Sequence, residues 1–386
     1  MPRLSSRVAR ISPFHAMEVA KHAARLQAAG RDVIQMGIGE PDFTAAPAVV
    51  ESLERAARAG HTQYTAALGL APLREAIAAF TAQRFGVPVD PARVIVTAGA
   101  SGALLLACTA LVENGAQVLM PDPTYPANRH IVTAAGGTPR LIPTAPADRF
   151  QLNAGHVRTH WTAQTAGVVI ASPGNPTGTS IAPGALEELV GEVRARGGFA
   201  IVDEIYLGLR YEGERRSALA LGDDVIVVNS FSKYFQMTGW RLGWLVVPPG
   251  LVGAFERLAQ NLVICAPTLS QHAALACFTP ESQALFESRR AVLRERRDYL
   301  LPEFARLGLD IPVAPDGAFY IYSDVRRHAA DSAAFAARLL DEAGVCAVPG
   351  MDFGAAGADR YLRFSYATGL DRLQEAVHRL GRLLGA

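Results

Sequence analysis

Phe199-Ala200-Ile201-Val202-Asp203-Glu204-Ile205-Tyr206 is an apolar run that ends on two carboxylates and a phenol. A strand with one face in water alternates apolar and polar residues. A run without alternation is covered on both faces, as in a mostly parallel sheet. Working outward, Val225 to Val228, Val168 to Ile170, Gln117 to Met120 and Arg93 to Thr97 have the same texture. Helical stretches separate several of them, over Ser101 to Leu111, Tyr125 to Ala135 and Ala185 to Arg196. This alternation predicts an α/β, doubly wound fold, a mostly parallel sheet with helices on both faces. Beyond Pro280 the texture changes. Glu281 to Leu307 is one long charged helix of the kind that bridges two domains. Phe319 to Tyr322, Ser332 to Ala343, Tyr361 to Tyr366 and a closing helix from Asp371 then make a smaller α+β unit.

Length and composition agree with two domains and exclude several functions. The 386 residues exceed what one compact unit usually holds. Half the chain is hydrophobic and 19% is charged, below the ~25% of ordinary domains, which predicts a large core and a buried subunit interface. A net charge of +1 provides no basic stripe for nucleic acid. The longest apolar stretch, Ala103 to Val112, is half what a bilayer span needs, so no membrane association is expected. Cys108, Cys265, Cys277 and Cys346 lack CxxC spacing and a His at metal-ligand spacing. They read as free thiols in a reducing cytoplasm, with no metal. Arg3, Arg7 and Arg10 precede no apolar segment of the secretory kind, so the expected location is cytoplasmic.

Of the 37 basic residues only Lys21 and Lys233 are lysines. Arginine serves wherever a positive charge suffices, but its pKa above ~12 bars it from acting as a neutral amine nucleophile. Lys21 lies in an Ala-rich helical run, His15 to Ala29, where an exposed charge needs no special reason. Lys233 closes Ser230-Phe231-Ser232-Lys233, just past an apolar strand, and is the chemical candidate. In open parallel sheets ligands bind beyond the carboxyl ends of the strands. Thr97-Ala98-Gly99-Ala100-Ser101-Gly102 opens a helix there, and free N–H groups at a helix start suit a phosphate. Alone, such a turn is more often just a turn, and it is not the GxxxxGK[ST] of a nucleotide-binding loop. Ser172 to Gly178 is a rigid loop that aims Asn175, or an ordinary Asx-turn. Asp203, at the tip of an apolar strand, requires a cation: an arginine, a metal or a protonated ring nitrogen. No His or carboxylate cluster accompanies it, which disfavours a metal. Ser230, Lys233 and Arg241 together suit an anionic ligand that also carries a carbonyl able to form a Schiff base.

In this order and spacing the residues resemble the fold-type I, pyridoxal-phosphate-dependent aminotransferases of class I/II, the aspartate aminotransferase-like group. The match begins at Gly37-Ile38-Gly39-Glu40-Pro41-Asp42-Phe43 and includes Gln63-Tyr64-Thr65, the Gly-rich turn and the loop Ser172 to Gly178. It continues through Asp203 to Tyr206, Ser230 to Lys233 and Met237 to Gly243, and ends at Leu362-Arg363-Phe364-Ser365. The resemblance implies a seven-stranded sheet in a large cofactor-binding domain over 45–285, a small domain over 286–386, and a segment 1–44 that packs with the small domain. It implies pyridoxal 5′-phosphate bound to Lys233, which also moves the substrate's proton, and Asp203 paired with the pyridine nitrogen. It further implies Tyr206 and Asn175 on the cofactor's phenolic oxygen and Tyr125 stacked on its ring. Ala100, Ser101, Ser230 and Arg241 are implied at the phosphate, and Arg363 with the backbone of Gly39 at the substrate carboxylate. Tyr64 is implied to reach the phosphate of a neighbouring subunit, so that a homodimer shares its active sites.

The activity so implied is a ping-pong exchange of an amino group between an L-amino acid and a 2-oxo acid. A β-lyase on the same scaffold would use the same cofactor residues. A dehydrogenase built on Gly37-x-Gly39 is opposed by Pro41, which interrupts the helix such a fingerprint opens. A regulator that borrows the fold would append a DNA-binding domain. Asn261 to Thr268, where dicarboxylate-specific relatives place a partner's arginine, contains no basic residue. A distal carboxylate would therefore be met elsewhere, with Arg74 and His15 as candidates, and neutral or aromatic substrates fit as well.

Overall fold

A computed structural model describes residues 2–385 of the protein. Its strands, in chain order, are β1 (Ile34–Gln35), β2 (Val94–Thr97), β3 (Gln117–Asp122), β4 (Thr138–Pro143), β5 (Thr165–Ala171) and β6 (Phe199–Asp203). They continue with β7 (Ile226–Ser230), β8 (Gly243–Val246), β9 (Tyr320–Asp324), β10 (Val345–Cys346), β11 (Val348–Pro349) and β12 (Tyr361–Ser365). Seven form one sheet in the order β2-β8-β7-β6-β5-β3-β4, parallel throughout except for β8, which is antiparallel to both neighbours.

The apolar runs behave as their lack of alternation requires. Successive residues of β6 enter different cores: Ala200 and Val202 join one cluster with Leu186, Leu189 and Val193 of helix Pro183–Ala195. Ile201 joins another, with Ala103 and Ala107 of helix Gly99–Leu111 and Phe255 of helix Val252–Leu262. β5 and β7 divide in the same way, with Val169 and Val228 on the second face. Each fully buried Val, Leu, Ile or Phe among them contributes about 1.5–3 kcal/mol by leaving water, and a polar group among them would lack a partner.

β2 and β7 run in the same direction, because each is antiparallel to β8. The carboxyl ends of β2, β3, β5, β6 and β7 therefore share one edge of the sheet, where β8 begins. Across that edge lies a three-stranded antiparallel sheet, β11-β12-β9, with Arg363 on its central strand opposite Tyr322 and Val348. Helix Pro280–Arg306 runs unbroken past residue 285, and Phe304 packs edge-on against Phe364, ring centroids 5.0 Å apart. Near the amino terminus, β1 pairs in parallel with β10, and Asp32 forms ion pairs with Arg372 and Arg379.

Candidate active site

A cavity of about 800 Å³ opens where the strand ends face the small sheet. Each lining side chain arrives for a local reason. The turn after β2 reverses at Gly99, whose φ of +77° only glycine adopts freely, and presents Ala100 and Ser101 at the start of the helix. Tyr125 follows β3 and immediately precedes helix Pro126–Ala134, with Pro126 in its first turn. Asp203 is the last residue of β6, and Ser230 the last of β7, three residues before Lys233. Asn175 sits in the loop after β5. Ala100, Ser101, Tyr125, Asn175, Asp203, Ser230 and Lys233 line the cavity, as do Tyr206, Arg241, Gly39 and Arg363. Tyr64 does not. It is 77% exposed on the outer surface of its own chain.

Five charged side chains line this cavity, Glu40, Asp203, Lys233, Arg241 and Arg363, and among the described residues Asp203, Lys233 and Arg363 form no ion pair. Asp203 is 6% exposed, and its carboxylate accepts one hydrogen bond, from the Ile205 backbone N–H at 3.0 Å. Burial pushes its pKa up to about 6, the Ile205 bond and the Lys233 charge only partly opposing this. Lys233 Nζ donates to the Gly39 carbonyl oxygen. Burial lowers its pKa to about 8, with Glu40 acting against the shift and Arg363 and Arg241 adding to it. Arg363 is 2% exposed. It donates to Asn175 Oδ1 at 2.9 Å and to the Gly37 carbonyl at 2.6 Å, and its buried Nε has no partner. Its guanidinium lies over the rings of Tyr320 and Phe353, 4.5 and 5.0 Å from their centroids. Among the described residues no carboxylate pairs with it.

The neighbouring groups are joined in two short chains. The hydroxyls of Tyr206 and Tyr320 are 2.9 Å apart, and burial raises the pKa of both. Ser230 Oγ donates to the Leu242 carbonyl at 3.1 Å and lies 2.9 Å from Ser232 Oγ, from which it can accept. Arg241 donates to the Thr238 carbonyl at 2.9 Å. Gly39 is crowded by the Tyr320 hydroxyl, which a Cβ there would approach to 2.9 Å.

Several lining residues carry no signal in the sequence. Tyr320 is one residue of an apolar strand, and only its contact with Tyr206, 114 positions away, distinguishes it. Ser232 and Thr238 lie inside recognisable segments but have no role of their own there. Phe14, Ala16, Met17 and Ala20 line the cavity from the first helix and its entrance. Neither candidate for a distal carboxylate lines the cavity. Arg74 Nε instead donates to the carbonyls of Pro91 and Val94. Among the described residues no group of three or more His, Cys, Asp or Glu has the arrangement of a metal site. No helix among them is long and apolar enough to cross a membrane.

The strand order, the mostly parallel direction of the strands and a cavity at their carboxyl ends place the chain in the open α/β class whose ligands bind at that edge. Within that class, residues 31–380 match the family described as aminotransferase class I and II, and the chain belongs to it. It is 40% identical to the valine–pyruvate aminotransferase of Mycobacterium tuberculosis, over 97% of each chain. It is 33% identical to the aspartate aminotransferase of Geobacillus stearothermophilus, over 100% of this chain and 99% of that one. A crystal structure of an aminotransferase from Mycobacterium tuberculosis superposes over 100% of both chains with a TM-score of 0.96 at 39% identity. The Thermus thermophilus aspartate aminotransferase with maleate superposes over 99% of this chain and 100% of that one with a TM-score of 0.93 at 35% identity. The protein is an aminotransferase of a pyridoxal-phosphate-dependent family.

Proposed function

We propose that the chain is a cytoplasmic, homodimeric transaminase that binds pyridoxal 5′-phosphate. It transfers the amino group of L-amino acids with apolar side chains, valine among them, to 2-oxo acids such as pyruvate in two half-reactions. The observation that carries this reading is the pair of buried charges, Asp203 and Arg363, that no ion pair within the chain answers. A buried carboxylate and a buried guanidinium are costly unless paired. A protonated pyridine nitrogen answers Asp203, and an α-carboxylate answers Arg363. The three basic residues of the lining, Lys233, Arg241 and Arg363, are then all engaged, and none is left for a second carboxylate. Phe14, Met17, Ile38 and Ile131 remain for an apolar side chain. The similar valine–pyruvate enzyme supports that class of donor. Buried free thiols at Cys108, Cys277 and Cys346 support a reducing compartment.

When bound, pyridoxal phosphate supplies an electrophilic carbon and an electron sink for the substrate's Cα–H bond. The chain's own residues do the rest. Ala100 and Ser101 receive the phosphate at the helix start, with Ser230 and Arg241 beside them. Tyr125 covers the ring, and Asp203 holds the proton on the ring nitrogen. Tyr206 and Asn175 donate to the phenolic oxygen. Because Asn175 also accepts from Arg363, carboxylate binding and cofactor hydrogen bonding are coupled through one amide. Arg363 grips the carboxylate with a planar fork that lysine lacks. Lys233, whose pKa burial brings down from 10.5 to about 8, takes the Cα proton and returns it.

The test is a panel of L-amino acids mixed with holoprotein, scored by the rate at which each bleaches the cofactor's absorbance. Valine and leucine are expected to react about 100-fold faster than aspartate, whose second charge would be buried unpaired. Aspartate reacting fastest would overturn the donor assignment. Release of a thiol from cysteine conjugates would indicate elimination instead.

A further inference from the structure

The first helix, His15–Ala28, supplies Ala16, Met17 and Ala20 to the apolar wall of the cavity. It has one fully buried residue, Ala23, and no capping side chain of its own. Its start is held from elsewhere. Asp352, 0% exposed, accepts from the His15 backbone N–H at 2.9 Å with Oδ1 and from the Ala16 N–H at 3.1 Å with Oδ2. A carboxylate placed on two free N–H groups of a helix start satisfies them and opposes the helix dipole.

The segment that supplies Asp352 also touches the rest of the site. The next residue, Phe353, lies under the Arg363 guanidinium, and its carbonyl accepts from the Thr124 N–H at 2.9 Å, beside Tyr125. Ala355 and Ala356 N–H groups donate to Asp122 Oδ2 at the end of β3, at 3.0 and 3.1 Å. Arg129 donates to the Asp352 carbonyl at 2.9 Å. Phe14, just before the helix, meets the Tyr125 ring edge-on with centroids 6.0 Å apart. Residues 352–356 thus join the carboxylate clamp, the cofactor-facing tyrosine and the helix that forms the apolar wall.

We propose that Asp352 is a positioning residue for donor selectivity: it fixes the start of the first helix so that Phe14, Ala16 and Met17 meet the substrate side chain at a set distance from Arg363. It touches neither cofactor nor substrate. The inference rests on the apolar-donor reading above, and the test separates the two. Asp352→Asn keeps the shape but replaces one acceptor with an NH₂ group that faces an N–H. The ratio of kcat/KM for valine to that for alanine, whose single methyl reaches less of the wall, is expected to fall about five- to tenfold, the size of a lost helix cap. The loss is expected as a higher KM for valine, with kcat changed little. Hydrogen exchange in residues 14–20 should accelerate, while exchange in β5 to β7 stays as in the wild type.

An unchanged ratio, equal losses for valine and alanine, or unaltered exchange in residues 14–20 would each overturn the proposal. A wild type that prefers aspartate would overturn the donor reading, and the exchange measurement would still judge the clasp. If Asp352→Asn does not fold, His15→Pro carries the same test. It deletes one of the two donors at the first helical position, where proline is accepted, and a lower valine-to-alanine ratio is again required.

Discussion

Lys233 shows how burial moves a side chain's titration. Its folded pKa, about 8, lies below the ordinary 10.5 because burial disfavours the ammonium form more than Glu40 favours it. Between pH 8 and 10.5 the unfolded chain therefore binds more protons at this position than the folded one, and stability rises with pH. The penalty is fully present below pH 8 and fades above it. In apoprotein, Lys233→Met removes the penalty. The variant's stability relative to wild type is expected to be greater at pH 7 than at pH 10 by roughly 1–2 kcal/mol, allowing for the partial exposure of the residue. Denaturant titrations at the two pH values measure this. A difference independent of pH would mean that the amine is not depressed. Above pH 8 the same amine should also capture added pyridoxal phosphate at a rate that no longer rises with pH.

At the scale of elements, the turn between β2 and helix Gly99–Leu111 is the most constrained. Gly99 has a φ of +77°, and a Cβ there would lie 2.6 Å from an Arg241 terminal nitrogen. Gly99→Ala is expected to cost about 1–2 kcal/mol for the left-handed backbone. By displacing Arg241 it should also raise the half-saturating concentration of cofactor about tenfold, the loss expected for one charge-assisted hydrogen bond. In an Arg241→Ala background the same substitution should cost stability alone. Equal losses of affinity in both backgrounds would show that the turn does not act through Arg241. This turn is legible in the sequence because its glycine, its helix start and the preceding apolar strand are contiguous. β5, β6 and β7 are legible for the same reason, since burial on both faces leaves a local mark. β4 is not: Thr138–Pro143 lies at the sheet edge, its outer residues part-exposed, and proline both ends it and interrupts it. β8 escapes notice because its place between β2 and β7 depends on pairing with β2, whose partner residues lie 146 to 152 positions away (Thr97 with Gly243, Val94 with Val246). Tyr320 and Asp352 are silent for a related reason, since what they touch is remote in the chain.

At the scale of the whole molecule, one residue of the expected site stands apart. Tyr64 is 77% exposed and absent from its own chain's cavity, although the resemblance places it at a cofactor phosphate. Close by, the Thr268 hydroxyl donates to the Gln63 carbonyl at 2.8 Å, which ties the Tyr64 segment to the one carrying exposed Leu262, Val263 and Ile264. Four large apolar side chains on joined segments suit contact with a second copy of the chain. If Tyr64 completes the partner's site, Tyr64→Phe should weaken cofactor binding about 10–100-fold, as for a hydrogen bond to a charged group. Lys233→Ala should abolish turnover. A dimer that pairs one variant with the other would then contain one site with both Lys233 and Tyr64 and one site with neither. Unfolding and refolding the two variants together in equal amounts should therefore restore wild-type cofactor affinity in about a quarter of all sites, as random pairing about a two-fold axis requires. Each variant refolded alone should show none. If each subunit held its own Tyr64, the mixture would contain no wild-type site, and the affinity measured at low cofactor concentration would stay that of Tyr64→Phe.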